Sequence, residues 1–211
     1  MNDAVIVIGS GGHAKVCVEL LQAAGRRVAY CVGNAATGHC AGVPVLAGDE
    51  HLARLRLDGY TDLFVAIGAN ALRRRLAATA QALGYTLVNA ISPRSIISPS
   101  ARLGCGIAIM AGAVVNAEAD IGELVIINTG ATVDHDCRLG PAVHIAPQCA
   151  LAGNVSVGAE SFLGIGCKVI PGIRIGDDVL VGAGGVVIHD LPSQTRAVGV
   201  PARPISTRSI N

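Results

Sequence analysis

Residues 121–156 read IGELVI INTGAT VDHDCR LGPAVH IAPQCA LAGNVS, and this stretch decides the fold because it repeats with a period of six. Each hexad begins with Ile, Leu or Val. Sixteen consecutive hexads follow this rule, and their first residues are Ile97, Leu103, Ile109, Val115, Ile121, Ile127, Val133, Leu139, Ile145, Leu151, Val157, Leu163, Val169, Ile175, Val181 and Val187. A fixed period over this length indicates a repeat architecture.

Two other positions of the hexad are also restricted. The fifth position carries a small or apolar residue throughout, including Cys137, Cys149 and Cys167. We therefore expect the first and fifth positions to face the core and these cysteines to be packing residues. The second position is often glycine, which predicts a tight turn with positive φ there. These glycines are Gly104, Gly122, Gly140, Gly158, Gly164, Gly176 and Gly182.

The pattern resembles that of hexapeptide-repeat proteins, in which three hexads form one triangular coil of 18 residues. The resemblance implies a left-handed parallel β-helix over residues 91–192. Sixteen hexads correspond to about five coils stacked about 4.8 Å apart. The core of such a prism is narrow, in agreement with an aromatic content of only 2%.

Composition excludes several classes of protein. The 16 Lys and Arg residues balance 15 Asp and Glu residues, so a nucleic-acid-binding or basic membrane-binding surface is not expected. No apolar run is long enough for a membrane span. The sequence starts without the basic segment of a secretory signal, which favours a cytoplasmic location. Seven cysteines without a Cys-x-x-Cys pair give no disulfide framework or zinc knuckle.

Residues 1–90 show the pattern of an α/β Rossmann-like domain with a parallel sheet. The predicted strands are Val5–Ile8, Val28–Val32, Val43–Leu46 and Asp62–Ile67, and the last residues, 193–211, are assigned to a tail. One helix follows the first strand and ends near Gly25. A second is predicted from an Asn70 cap to Gly84, with Leu72, Leu76 and Leu83 on its apolar face.

A glycine-rich loop follows the first strand, and its backbone N–H groups at a helix N-terminus are suited to phosphate. The candidate substrate-binding residues at this and the neighbouring strand ends are Gly9, Ser10, Gly11, Gly12, His13, Gly33, Asn34, Asn70 and Arg73. A seat for a nucleotide diphosphate, a plain tight turn and a nicotinamide-cofactor site are the three interpretations. The third lacks the acidic residue that would hold the ribose.

Together, the two halves resemble the N-acetyltransferases of nucleotide-linked 4-amino-4,6-dideoxysugars from bacillosamine and perosamine biosynthesis, and the related sialic acid O-acetyltransferases. The matching segments are Asn128–Asp136, Ala152–Asn154 and Gly199–Arg203. The resemblance implies a homotrimer in which the N-terminal domain holds the nucleotide sugar and acetyl-CoA lies between neighbouring prisms. No metal is implied.

The same resemblance assigns roles to individual residues. His135 corresponds to the general base, Asp136 to the acid beside it, and His144 to a second histidine near the acetyl group. The remaining expected acetyl-CoA contacts are Gly153, Ala183 and Gly199.

The residues themselves support part of this assignment. His135 occupies the third position of its hexad, which points outward, and Asp134 and Asp136 flank it. A carboxylate fixes the tautomer of an imidazole and raises its basicity. Gly153 comes 18 residues later, one coil above, where it would leave room for a pantetheine arm. His144 is half a coil from His135, so a shared site requires an oligomer.

The predicted reaction is transfer of the acetyl group of acetyl-CoA to the 4-amino group of a nucleotide sugar. Gly33-Asn34 follows the second strand where relatives using UDP-sugars carry acids, so GDP and dTDP remain open and GDP-perosamine is favoured. The alternatives are sugar O-acetylation, a zinc hydratase and a non-enzymatic β-helix. For the hydratase, His135 and His189 lie three coils apart, about 14 Å, too far to share one zinc ion.

Overall fold

The computed structural model describes residues 2–34 and 38–205, which form two compact units. One unit comprises Met1–Pro93 and Cys105–Ala108, and the other Arg94–Gly104 and Ile109–Asn211. The predicted boundary at residue 90 lies close to this division.

The first unit is a parallel sheet flanked by helices. Its elements are β1 (Asn2–Ile8), α1 (Gly12–Ala23), β2 (Val28–Val32), β3 (His39–Cys40), β4 (Val43–Leu46), α2 (His51–Leu57), β5 (Tyr60–Val65), α3 (Asn70–Ala82), β6 (Thr86–Leu87) and β7 (Ala90–Ile91). The sheet order is β3-β4-β2-β1-β5-β6. All pairs are parallel except β3 with β4. The Rossmann-like prediction is therefore confirmed.

Burial explains why β1 lies in the middle of this sheet. Residues 4–8 are apolar and buried on both faces, as expected for a parallel strand covered on both sides. The strand predictions for β2 and β4 match the structure residue for residue. β5 ends at Val65 rather than at Ile67, because Ala66 and Ile67 form the loop that follows the strand.

The prediction for α3 was wrong in two details. Ala69 is the N-cap, and Asn70 is the first helical residue. The buried face consists of Arg73, Ala77 and Ala80 rather than the predicted leucines. The Asn70 side chain does not cap the helix because its Oδ1 accepts a hydrogen bond from Arg73 Nη2 at 2.9 Å.

The short elements α2, β3 and β6 were not predicted. α2 has only seven residues and buries only Leu52 and Leu55, and β3 and β6 have two residues each. Such lengths give too few positions for a periodic signal. In the described part of the chain, no helix is both long and apolar enough to cross a membrane.

The second unit is a left-handed parallel β-helix built from two-residue strands. They are β8 (Ile96–Ile97), β9 (Arg102–Leu103), β10 (Ala108–Ile109), β11 (Val114–Val115), β12 (Asp120–Ile121), β13 (Ile126–Ile127), β14 (Thr132–Val133), β15 (Arg138–Leu139), β16 (His144–Ile145), β17 (Ala150–Leu151), β18 (Ser156–Val157), β19 (Phe162–Leu163), β20 (Lys168–Val169), β21 (Arg174–Ile175), β22 (Leu180–Val181), β23 (Val186–Val187), β24 (Arg196–Val198) and β25 (Arg203–Pro204).

The strands form three sheets, which are the three walls of the prism. Wall 1 contains β8, β11, β14, β17, β20 and β23; wall 2 contains β9, β12, β15, β18 and β21; and wall 3 runs from β10 through β13, β16, β19, β22 and β24 to β25. Within walls 1 and 2, each residue pairs with the one 18 positions later, for example Thr132 with Ala150. One coil therefore corresponds to three hexads.

The core consists of the first and fifth hexad positions, as predicted. First positions from Ile109 to Val187 and fifth positions from Ile107 to Leu191 are all buried. The fifth-position cysteines Cys137, Cys149 and Cys167 are buried and free.

The reason for glycine at the second hexad position differs from the prediction. Positive φ occurs at the fourth position instead, in Glu118, Asp136 and Asn154 as well as in glycines. At the second position the next coil comes too close for a side chain. A Cβ on Gly140 would lie 2.8 Å from the Ala159 nitrogen. Close approach of backbone, rather than a left-handed conformation, requires glycine here.

The predicted tail was wrong for the residues that the structure describes. β24 pairs in parallel with β22 and in antiparallel with β25, so the wall continues beyond residue 192. The repeat rule of Ile, Leu or Val stops at Val187, which explains why the sequence pattern missed this part. Residues 206–211 lie outside the described residues.

The two glycine positions make a testable distinction. Gly140→Ala is expected to destabilise the protein by about 1 to 3 kcal/mol, because its Cβ overlaps the next coil. The control is Gly166→Asn. Gly166 has φ +72° and no atom within 4 Å of an added Cβ, and Asn adopts this conformation at a cost of about 1 kcal/mol or less. Chemical unfolding measures both, and equal losses would contradict the assignment.

Candidate active site

His135 and Asp136 form a hydrogen-bonded pair on an outward turn of the β-helix. The turn connects β14 on wall 1 to β15 on wall 2. His135 Nδ1 lies 2.8 Å from Asp136 Oδ2, and the histidine side chain is 59% exposed. Asp136 sits at the positive-φ position of its hexad, with φ of 59°. The repeat thus projects an acid and a histidine together at one edge of the prism.

Asp134 has a different task from Asp136. Its Oδ1 accepts hydrogen bonds from the His135 N–H at 2.7 Å and from Asn116 Nδ2 at 2.9 Å. The bond from the His135 N–H, followed by that from Asn116, lowers the pKa of Asp134. Asp134 therefore holds the turn, and Asp136 orients the ring, which answers a question that the sequence left open.

The hydrogen bond to Asp136 also determines the chemistry of the ring. It is the largest cause of a pKa of His135 raised above its ordinary value. An ionised carboxylate can only accept a hydrogen bond, so Nδ1 carries the proton of the neutral ring. Nε2 keeps its lone pair and has no partner among the described residues. An exposed, oriented Nε2 of raised basicity is what a general base needs.

Gly153 lies beside the His135 ring. A Cβ at this position would be 2.5 Å from both Cε1 and Nε2 of His135. The missing side chain therefore makes room for the imidazole itself, whereas the sequence prediction reserved that space for a pantetheine arm. The Gly153 N–H has no hydrogen-bond acceptor among the described residues, so it is available to a ligand close to the ring.

His144 lies on wall 3, in β16, and the structure does not bring it to His135 within one chain. Its side chain is only 8% exposed in the single chain. Nε2 lies 3.2 Å from Asn128 Nδ2, and the ring packs edge-on against Phe162 at 5.0 Å between centroids. These contacts fix the orientation of the ring.

Ala183 and Gly199 lie together on a different edge of the prism from His135. They occupy equivalent exposed positions on consecutive coils, since Val181 pairs with Ala197 two residues earlier. This edge connects walls 3 and 1, whereas His135 lies where wall 1 meets wall 2. Wall 1 therefore separates the two sets of predicted acetyl-CoA contacts.

The structure brings the predicted phosphate loop to the carboxyl ends of three strands. A Cβ on Gly9 would lie 2.7 Å from the Ala66 oxygen, and one on Gly33 would lie 3.0 Å from Ser10 Oγ. Gly11 is the N-cap of α1 and provides no capping side chain. Gly11, Gly12 and Asn34 are exposed. The loop thus offers open backbone at a helix N-terminus, where anions bind well.

His13 lies in the first turn of α1 and is partly buried. Burial, with a smaller contribution from the Arg73 charge, lowers its pKa to about 4. The ring is therefore neutral near pH 7. Its Nε2 lies 3.5 Å from Cys17 Sγ.

Arg73 does not face a phosphate as predicted. It is 1% exposed. Its Nη1 donates to the carbonyls of Ile67 and Gly68 at 2.9 and 3.1 Å, and its Nη2 bonds Asn70. A guanidinium with five N–H donors is suited to collecting several carbonyls. Arg73 thus fixes the shape of the loop between β5 and α3.

The sequence did not single out the groove in front of His135. This groove has a volume of about 520 Å³ and is lined by Arg102, Glu118, His135, Asp136, Arg138 and Asn154. These residues come from successive coils at or next to one edge. An 18-residue register is the signal that could have found them.

Metal-binding geometry was also considered for the residues in ranges 2–34 and 38–205. No group of three or more His, Cys, Asp and Glu side chains there is arranged to hold a metal ion. His135 and His189 sit at the same hexad position three coils apart, as the register requires.

The effect of Asp136 on His135 is directly measurable. Asp136→Asn is expected to lower the pKa of His135, because a neutral amide stabilises the imidazolium less than a carboxylate does. NMR titration of the histidine ring protons measures it. Asp134→Asn is the control and should produce the smaller decrease, since its charge is only a minor cause of the raised pKa. An unchanged pKa in Asp136→Asn would show that the hydrogen bond does not set the basicity.

Comparison with known proteins identifies the family. A family model described as the PglD N-terminal domain matches residues 4–80. No curated protein matches the chain. Among solved structures, PerB from Caulobacter crescentus, crystallised with CoA and GDP-perosamine, is 55% identical, with 96% of this chain and 97% of that chain covered and a TM-score of 0.94.

Two further structures extend the comparison. The acetyltransferase domain of PglB from Neisseria gonorrhoeae, in complex with acetyl coenzyme A, is 39% identical, with 97% of this chain and 100% of that chain covered and a TM-score of 0.92. WeeI from Acinetobacter baumannii shares the fold at 22% identity, with 96% and 99% covered and a TM-score of 0.82. The chain therefore belongs to the hexapeptide-repeat family of nucleotide-sugar N-acetyltransferases.

Proposed function

We propose that the protein transfers the acetyl group of acetyl-CoA to the 4-amino group of GDP-perosamine or a closely related nucleotide-linked 4-amino-4,6-dideoxysugar. The observation that carries the proposal is the His135–Asp136 pair, with Nδ1 held at 2.8 Å and Nε2 open to the groove. A 55% identical protein binds CoA and GDP-perosamine in its crystal structure, which supports the choice of both substrates.

The mechanism needs only one proton acceptor. The amine nitrogen attacks the thioester carbon, and His135 Nε2 removes a proton from that nitrogen as the C–N bond forms. When the C–S bond breaks, the sulfur of CoA leaves and takes a proton from the imidazolium. Asp136 stabilises the charged ring between these steps, and general-base assistance of this kind contributes about 10² to 10⁴ in rate.

The negative charge on the thioester oxygen also needs a partner. The N–H of Gly153 lies beside the His135 ring and has no acceptor among the residues that the structure describes. A preorganised backbone donor at this point would stabilise the oxyanion. We assign this role to Gly153, together with contact to the acetyl group.

The nucleotide sugar is assigned to the loop ends of the first unit. Gly9, Ser10, Gly11 and Gly12 offer backbone N–H groups to the diphosphate, and neutral His13 offers a hydrogen bond without a charge. Gly33 and Asn34 carry no acid at the end of β2, which favours GDP over UDP.

A homotrimer explains why wall 1 separates the predicted acetyl-CoA contacts. If one CoA touches Gly153 and also Ala183 and Gly199, these residues must come from neighbouring chains. The outward side chains of wall 1 are mostly small or apolar, namely Ile96, Val114, Thr132, Ala150, Lys168 and Val186, and Ile96 is 67% exposed. A second copy packed on wall 1 would cover them. The proposal includes a cytoplasmic location.

A panel of acceptors tests the function. With acetyl-CoA as donor, kcat/KM is expected to be highest for GDP-perosamine. Values should be at least about tenfold lower for UDP- and dTDP-linked 4-amino sugars and for the 4-hydroxy counterpart of the GDP sugar, which cannot fill the same contacts. Preference for the hydroxylated acceptor would indicate O-acetylation. Absence of both transfer and CoA binding would favour a non-enzymatic β-helix.

Replacement of the base tests the mechanism. His135→Ala is expected to lower kcat by about 10² to 10⁴ and to leave the Kd for CoA nearly unchanged, since the ring acts on the amine. The matched control is His189→Ala, an exposed histidine at the same hexad position three coils away, which should retain activity. A comparable loss of CoA affinity in His135→Ala would remove this residue from the proton transfer.

A further inference from the structure

We infer that a polar recess beside the His135–Asp136 pair binds a phosphate group of a phosphorylated substrate. The recess is lined by Arg138, Asn154, Ser156 and Arg174, with Asp136 at its edge. The inference rests on the proposed function, because both proposed substrates, acetyl-CoA and the nucleotide sugar, carry phosphate groups.

The strand register places the two arginines on one column of wall 2. Arg138 pairs with Ser156, and Ser156 pairs with Arg174. The column therefore reads Arg138, Ser156, Arg174 on consecutive coils, with about 4.8 Å between neighbours. The backbones of the two arginines are about 10 Å apart, and their long side chains can converge on one group above Ser156.

Neither guanidinium is engaged elsewhere. Within the part of the chain that the structure describes, the side chains of Arg138 and Arg174 make no ion pair or hydrogen bond. Arg102, in the same column, differs because it contacts Asp120 at 3.2 Å and Glu118 at 3.8 Å. The unsatisfied charge is therefore confined to the end of the column that lines the recess.

The recess combines these charges with neutral donors. The Ser156 hydroxyl and the Asn154 amide also have no partner among the described residues. Two guanidinium groups, a hydroxyl and an amide form a donor set suited to phosphate oxygens. The single acid of the lining is Asp136, whose Oδ2 already bonds His135.

Size and position agree with this ligand. The recess has a volume of about 140 Å³, several times the roughly 30 Å³ that one water molecule occupies. Asp136, Arg138 and Asn154 line both the recess and the groove in front of His135. A phosphate bound here would therefore belong to a molecule that reaches the reacting centre.

Two sources could supply the phosphate, namely the diphosphate of the nucleotide sugar and the phosphates of CoA. The sugar diphosphate is one hexose ring away from the reacting amine. The CoA diphosphate is separated from the thioester by the whole pantetheine arm. Kinetic measurements on each substrate distinguish the two.

The test uses Arg138→Gln and Arg174→Gln in the full-length protein. The KM of one phosphorylated substrate is expected to rise about tenfold or more for each variant, because a charge-assisted hydrogen bond is lost, with little change in kcat. A rise for the nucleotide sugar assigns the recess to its diphosphate. A rise for acetyl-CoA assigns it to CoA, and acetyl-dephospho-CoA then shows whether the 3′-phosphate is bound. Unchanged KM values for both substrates would overturn the inference.

The control variant is Arg196→Gln, which removes a guanidinium bonded to Asp178 on wall 3 and should leave both KM values unchanged. Binding of inorganic pyrophosphate, followed by NMR of the arginine side chains, provides a readout without turnover. Pyrophosphate should shift the Arg138 and Arg174 signals of the wild-type protein, and shifts at neither residue would overturn the inference. An inactive protein that still shows these shifts would refute the proposed function and leave the recess in place.

Discussion

The parallel stacking of strands every 18 residues is the constraint on which the structure depends. It fixes which residues share a column, so side chains far apart in the chain lie about 4.8 Å apart on neighbouring coils. The same close stacking requires glycine at many second hexad positions, where a Cβ would meet the next coil. The column that begins with Asn116, Asp134 and Ala152 carries the turns around the candidate base.

The rigidity of this stack accounts for the quality of the candidate site. His135 is exposed, yet its ring is held by Asp136 on one side and lies beside the bare backbone of Gly153 on the other. Asp134 holds the turn from below. The imidazole is therefore oriented before substrate arrives, and a preorganised base loses less conformational entropy when it acts. Arg73 fixes a loop of the first unit in a comparable way, through bonds to two carbonyls.

The sequence predicted the fold and the His135–Asp136 pair because both depend on local spacing. The hexad pattern defines the inward positions, and two adjacent residues need no tertiary information to be neighbours. Arg73 was misplaced because a charged residue is usually exposed, and only the tertiary structure shows carbonyls converging on it. The role of Gly140 was misassigned because sequence shows a need for glycine without showing whether φ or close approach causes it. The recess at Arg138 was missed since sequence does not reveal which arginines already have partners.

The most direct test of this account is a crystal structure with CoA and the amino sugar nucleotide bound together. The account predicts that the amine nitrogen lies within about 3 Å of His135 Nε2, that Asp136 retains its bond to Nδ1, and that the groove is completed by a neighbouring chain. A structure in which the amine faces another side chain, with the His135 ring turned away from it, would contradict the central claim.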